Sequence, residues 1–264
     1  MRREFIAILT TAIFMMAAIC TVNGQIIMRM QTDQNRVNVI LSGSDKVTID
    51  WGEGKPQTST VGKNTKFSYK YKTNTKHTIT ITGNYIPELN CDNNELTSLD
   101  VTQNAFLTSL SCEKNKLSSL DVSNNKVLRD LLCDYNQLTS LDISENTALI
   151  RLWCKNNQLT ILDTSKNPNL SSLICNYNKL TSLDLSNNPA LKQLGCLNNQ
   201  LSDSALNELL RSLPINEQGI ELAPDYTIKN RENVPEYCID RNPGTASCDM
   251  SIMNDKGWLR ITVR

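Results

Sequence analysis

Six of the nine cysteines fall at one interval: Cys91, Cys112, Cys133, Cys154, Cys175 and Cys196, each 21 residues after the last. Thiols can pair as disulfides, ligate soft metals or act as nucleophiles. A carboxylate column keeps the same interval at Asp100, Asp121, Asp142, Asp163 and Asp184, which is raw material for a calcium ladder. Glu113 and Asp134 stand one period apart, and two neighbouring carboxylates are what a glycosidase uses. Against these stands a single histidine, His77. Its solitude removes most acid–base relays, nucleophile–base triads and zinc sites.

The interval itself argues against the remaining chemistry. In-register side chains on neighbouring strands stand about 4.8 Å apart and point the same way. A disulfide wants β-carbons nearer 3.8 Å and a twisted dihedral. The ladder therefore reads as buried thiols acting as small hydrophobes, inert in apolar surroundings. Stacked aspartates repel by about 1 kcal/mol each in water. Hydrogen bonds from each turn's own N–H groups, with Ser123, Ser144, Ser165 and Ser186, would compensate that charge. The glycine-rich turns of calcium ladders are absent. An open sheet neither excludes water nor preorganises charge at Glu113 and Asp134. The expectation is no enzyme, no cofactor and no metal.

The element that positions these columns is one unit written six times over residues 85–201. It reads L-x-x-L-x-C-x-x-N-x-L-x-x-L-D-x-S-x-N-x-x, with asparagine at Asn94, Asn115, Asn136, Asn157, Asn178 and Asn199. An interval of this length marks a solenoid in which each unit is one coil. The L-x-C step has strand period, so leucine and cysteine share a buried face. One coil cannot bury its apolar edge alone, but stacked coils can. The asparagine sits at the bend, where it can bond backbone groups left unpaired and build a ladder. This unit resembles the leucine-rich repeat in its short, cysteine-bearing form. The resemblance implies a β-rich right-handed solenoid, of α/β type, with a parallel concave sheet.

Upstream, residues 1–24 open with Arg2 and Arg3, continue through an apolar run and end in small residues before Gln25. That is the pattern of a secretory signal peptide, too short to span a membrane as a helix. Cys20 keeps open a lipid anchor, although Ile19 stands where such sites want a small residue. The mature chain is expected to be exported, without a transmembrane segment. Residues 25–84 alternate at strand period around Val37, Val47, Phe67 and Ile79, separated by turn residues, as in a small antiparallel sandwich. Asp50-Trp51-Gly52-Glu53-Gly54 resembles the D-W-G-D-G turn of PKD-like domains. Its glycines point to positive-φ positions, with Asp50 and Glu53 organising the turn. His77, at a strand start, reads as a surface or edge histidine.

Residues 202–264 close the chain. The repeat breaks after Leu201, and a helix is expected over 203–213, capped by Ser202 and stopped by Pro214. The tail resembles the closing unit of internalin-like exported bacterial proteins, with strands expected at 237–240 and 259–263 and a short helix at 249–255. Cys238 and Cys248 lie outside the ladder and are free to pair or not.

Function in such a fold belongs to outward residues of the inner strands. Leu132, Trp153 and Ile174, with Tyr135 and Tyr177, would line up across three coils, and Arg151 and Lys155 flank Trp153. Exposed apolar patches with tryptophan and tyrosine mark contact surfaces. The N-terminal part of the face is acidic, at Glu88, Asp92, Glu113, Asp130 and Asp134. Lys+Arg and Asp+Glu balance at 27 each, so nothing calls for nucleic acid or an anionic membrane. The expectation is a monomeric recognition module binding a protein partner on its concave face. Internalin resemblance implies adhesion or contact with a host or cell surface. A glycan ligand, or a structural envelope component without ligand, remain the alternatives.

Overall fold

A computed structural model describes residues 25–215 together with 242, 243, 249 and 251. The expected leader with Cys20, the elements expected at 237–240 and 259–263, nearly all of 249–255, and Cys238 and Cys248 lie outside the described residues. No helix among the described residues is long and apolar enough to cross a membrane.

Six strands come first: β1 (Ile26–Thr32), β2 (Arg36–Ser42), β3 (Lys46–Asp50), β4 (Gln57–Thr60), β5 (Thr65–Lys70) and β6 (His77–Gly83). Alternation dictates their faces. Ile26, Met28 and Met30 on β1, Val37, Val39 and Leu41 on β2, and Ile79 and Ile81 on β6 all turn inward and are buried. Strands β1 and β4 add to those that the spacing of Val37, Val47, Phe67 and Ile79 marks. At the Asp50 turn, Gly52 and Gly54 take φ of 82° and 73°, and Asp50 accepts the Gly52 N–H at 2.9 Å. Glu53 accepts the Tyr69 hydroxyl at 3.3 Å, so both acids organise the turn. His77 corrects the expectation of a surface histidine: it is 8% exposed, stacked on Tyr71 at 3.6 Å between ring centroids. An aromatic face above the strand start covers it, which alternation alone does not reveal.

Seven three-residue strands follow. Strands β7 (Glu88–Asn90), β9 (Ser109–Ser111), β10 (Asp130–Leu132), β11 (Arg151–Trp153), β12 (Ser172–Ile174) and β13 (Gln193–Gly195) are the inner strands of coils 1 to 6. They pair in parallel with Leu89, Leu110, Leu131, Leu152, Leu173 and Leu194 directly adjacent, a shift of one whole repeat per step. Strand β8 (Ser98–Asp100) lies on the return path of coil 1.

Both sheets of the N-terminal region run on into the solenoid. The orders are β4-β3-β6-β1-β8 and β13-β12-β11-β10-β9-β7-β2-β5. Strand β2 pairs antiparallel with β7, and β1 with β8. The inner strand of the first coil is therefore paired on both sides, so it offers no open edge of the kind that invites pairing with other chains. One continuous core joins Met28 to Leu209. At the other end helix α1 (Asp203–Ser212) starts at Ser202, whose hydroxyl accepts the Ala205 N–H at 3.2 Å. It buries Ala205, Leu206, Leu209 and Leu210.

Two asparagine ladders hold the coils. In the first, Asn136 donates to the carbonyls of Cys112 and Cys133 and accepts the Leu117 N–H, and its fellows repeat the pattern. Asn242 adds a rung past the last coil, accepting the Asn199 N–H at 3.0 Å and donating to the Cys196 carbonyl at 3.1 Å. The second ladder is Asn104, Asn125, Asn146, Asn167 and Asn188, all fully buried. Asn146 donates to the carbonyls of Val122 and Asn125, and Asn167 to those of Ile143 and Asn146.

The second ladder is incompletely served. The side-chain oxygens of Asn125, Asn146 and Asn167 are buried without a partner. Asn188 differs because Thr164, standing in a column of Val101, Val122 and Ile143, donates its hydroxyl to it at 2.7 Å. Val122 stands to Asn146 as Thr164 stands to Asn188. Val122→Thr, which is nearly isosteric, is expected to raise stability by about 1 kcal/mol by giving that oxygen a donor. Thr164→Val should lower it by a similar amount, and urea unfolding of both variants checks the pair.

Candidate functional site

Each coil presents four outward positions on the inner-strand side: two from the strand and two from the bend after the cysteine. Because register is one repeat per step, the positions form four rows across six strands. The first runs Glu88, Ser109, Asp130, Arg151, Ser172, Gln193, and the second Asn90, Ser111, Leu132, Trp153, Ile174, Gly195. The bend supplies Asp92, Glu113, Asp134, Lys155, Asn176 and Leu197, then Asn93, Lys114, Tyr135, Asn156, Tyr177 and Asn198.

The last row is in the left-handed region throughout, from φ 53° at Lys114 and Asn156 to φ 57° at Tyr177. This conformation reverses the chain so that the next N–H groups reach the following coil, as when the Tyr135 N–H donates to the Lys155 carbonyl at 2.8 Å. Asparagine tolerates it, whereas a tyrosine pays roughly 1–2 kcal/mol. Tyr135 and Tyr177 are held there, half-buried, at φ 55° and 57°. Asparagine at three of six places in that row was the available signal for the conformation.

Trp153 lies half-buried in the middle of the face. Its indole N–H donates to the Ser172 hydroxyl at 3.1 Å, which fixes the ring. The Arg151 guanidinium sits 5.8 Å from the ring centroid and 3.5 Å from an Asp130 oxygen. At this exposure such an ion pair contributes at most about 1 kcal/mol, so its value is in orientation. Leu132 is half-buried beside Trp153 in the parallel register.

Two expected members sit deeper than an exposed patch requires. Ile174 is 8% exposed because it leans across Gly195, where an added Cβ would lie 3.2 Å from its Cδ1. Lys155 is 5% exposed, its ammonium folded back to 5.2 Å from the Tyr135 ring centroid. Long lysine stems readily cover apolar surface this way. The structure thus brings Leu132, Tyr135, Trp153 and Tyr177 to the accessible face, with Arg151 exposed at its rim and Lys155 and Ile174 beneath.

The acidic positions have backbone work. Asp92 accepts the Glu113 N–H at 2.7 Å and the Ser111 hydroxyl at 2.8 Å. Asp134, buried, accepts the Lys155 N–H at 2.8 Å, and Asn176 accepts the Leu197 N–H at 2.7 Å. Burial, then the Asp92 charge, raise the Glu113 carboxyl above its ordinary value. In the outer column each aspartate accepts the N–H two residues on, at Thr102, Ser123, Ser144, Ser165 and Ser186. The Ser123 bonds hold the Asp121 carboxyl below the usual range. Thr102 and the four serines thus give each carboxylate a hydrogen-bond donor within its own turn.

All six ladder cysteines are fully buried. Burial pushes the Cys175 thiol up to about 12 and carries Cys91, Cys112, Cys133 and Cys154 far above the ordinary thiol range. The thiolate is the reactive form, so these groups are inert in the folded chain at neutral pH. In a chain starting at residue 25 with Cys238 and Cys248 changed to serine, dithionitrobenzoate at pH 8 should label no cysteine. Guanidinium should then release all six, and labelling before unfolding would contradict the burial.

In-register parallel coils, each closed by an asparagine that serves its neighbour, decide the architecture. The fold is a leucine-rich repeat solenoid. No protein-family profile and no curated protein matches the chain. Among solved structures it is similar to the functional domain of InlJ from Listeria monocytogenes, described as including a cysteine ladder. The two are 40% identical over 47% of this chain and 28% of that one, with a TM-score of 0.45. It is also similar to a leucine-rich repeat protein of Leptospira interrogans, at 24% identity over 58% of this chain and 48% of that one, with a TM-score of 0.40. The chain thus spans less than half the length of either.

Proposed function

We propose that this chain is an exported, non-enzymatic recognition module that binds a protein partner through the inner-strand face of its solenoid. The observation that supports this most is the placement of Tyr135 and Tyr177. Two aromatic rings are kept half-exposed around Trp153 at backbone positions that disfavour them. Asparagine would fit the bend better, so the rings answer to a demand other than folding. Aromatic anchors surrounded by drier contacts are how interfaces concentrate affinity. The division into 25–84, 85–201 and 202–264, a PKD-like role for the first part, export after residue 24, and an adhesive role as a monomer belong to the same reading.

The test is a pull-down from envelope and host-cell extracts with immobilised protein, run beside Trp153→Ala and Tyr177→Ala. A partner retained by the native chain should bind each variant at least 30-fold more weakly, about 2 kcal/mol, at an unchanged thermal midpoint. Undiminished capture would remove the face from consideration. A glycan ligand is the second reading, favoured by the amides of Asn156, Gln193 and Asn198 around Trp153 and Tyr177, with no charge on any of the four rows in coils 5 and 6. A glycan array separates the two.

A further inference from the structure

The face is electrically divided, and the division identifies what kind of partner it fits. This inference rests on the proposed docking face and adds the chemistry of the occupant. Coil 3 carries Asp130 and Asp134, and coil 4 answers with Arg151 and Lys155. Arg151 pairs with Asp130 at 3.5 Å, and the Lys155 backbone binds Asp134 while its ammonium folds over coil 3. Those two coils neutralise each other internally. Coils 1 and 2 carry Glu88, Asp92 and Glu113 half-buried on the same face. None of these three is in an ion pair among the described residues. Lys114, exposed on the outer row, and Lys155 act on Glu113 at a distance, without pairing with it. Half-buried carboxylates outside any ion pair gain more from an incoming cation than solvated ones do.

We infer that the occupant is a protein segment bearing lysine or arginine over coils 1 and 2 and an aromatic or leucine residue against Trp153 and Tyr177. The geometry also sets its spacing. Glu113 and Trp153 are on coils two strands apart, which is about 10 Å. An extended chain crossing the strands advances roughly 3.3 Å per residue, so basic and apolar residues stand about three positions apart.

The test uses a phage-displayed random dodecapeptide library panned on the full mature chain, in parallel with Trp153→Ala and with the double variant Glu88→Gln, Glu113→Gln. Glutamine keeps the size of the side chains, and Asp92, which serves the backbone, is left in place. Circular dichroism and thermal midpoints confirm that each variant is folded. Peptides selected on the native chain should carry lysine or arginine about three residues from an aromatic or leucine. They should bind the double variant at least ten-fold more weakly at low salt and the Trp153→Ala chain below detection. Peptides that need Trp153 yet lack basic residues, or ignore the double variant, overturn this inference and leave the docking face standing. A selection that yields nothing dependent on Trp153 overturns both.

Discussion

Asn136→Ala should cost about 4 kcal/mol, because it leaves the Leu117 N–H unpaired in a dry interior, roughly 1–3 kcal/mol, and takes one of two asparagine donors from each of the Cys112 and Cys133 carbonyls, roughly 0.5–1.5 kcal/mol apiece. The side chain donates to Cys112 at 2.9 Å and Cys133 at 3.1 Å and accepts from Leu117 at 3.0 Å. It is only 8% exposed, so water cannot replace those bonds without opening the bend. At this chain length the loss corresponds to a thermal midpoint lower by roughly 8–16 °C. Asn124→Ala is the control: that side chain is exposed, on the outer turn. It should move stability by less than about 0.5 kcal/mol. If both variants unfold alike, the ladder is not what holds the coils.

The second large effect is expected at Gly52→Ala. The backbone there has φ of 82°, and an added Cβ would lie 2.6 Å from the Thr78 carbonyl oxygen, itself held in β6. Neither side can yield cheaply, since backbone meets backbone and the left-handed conformation alone costs about 1–2 kcal/mol. A loss of about 3 kcal/mol or more is expected, in the range of overpacked sites. Gly62→Ala makes the comparison clean, because nothing lies within 4 Å of its Cβ position. It should leave stability unchanged or raise it by about 0.4–1 kcal/mol through the unfolded chain. Urea midpoints of the two variants should therefore move in opposite directions or by very different amounts.

Much of this architecture was legible because the repeat converts sequence distance into spatial contact. Leucine and cysteine at strand period gave the buried face, and one asparagine per unit gave the first ladder. The second ladder is written as plainly at Asn104 to Asn188, but its meaning depends on the bend's depth, which spacing does not carry. The same is true of His77, buried by Tyr71 from the far end of the loop that leads into β6. Strand β4 escapes alternation because Gln57 to Thr60 is polar on both faces and survives by pairing with β3. On the candidate face, Trp153 and the two tyrosines lie where their period puts them. Lys155 and Ile174 do not stay exposed, since a row assignment fixes where a side chain begins and not where its far end settles. That depends on what stands one coil over: Tyr135 for the lysine, glycine for the isoleucine.

The rung supplied by Asn242 bears on how such a molecule changes size. Every coil makes the same request of the one after it, and Asn242 grants that request to the last coil in the terms any internal coil would use. A duplicated block of 21 residues spliced between Leu138 and Leu159 would therefore meet a familiar neighbour on both sides. Length can grow or shrink by whole units while the two ends stay as they are, and with each unit the reach of the recognition surface alters by one strand's width.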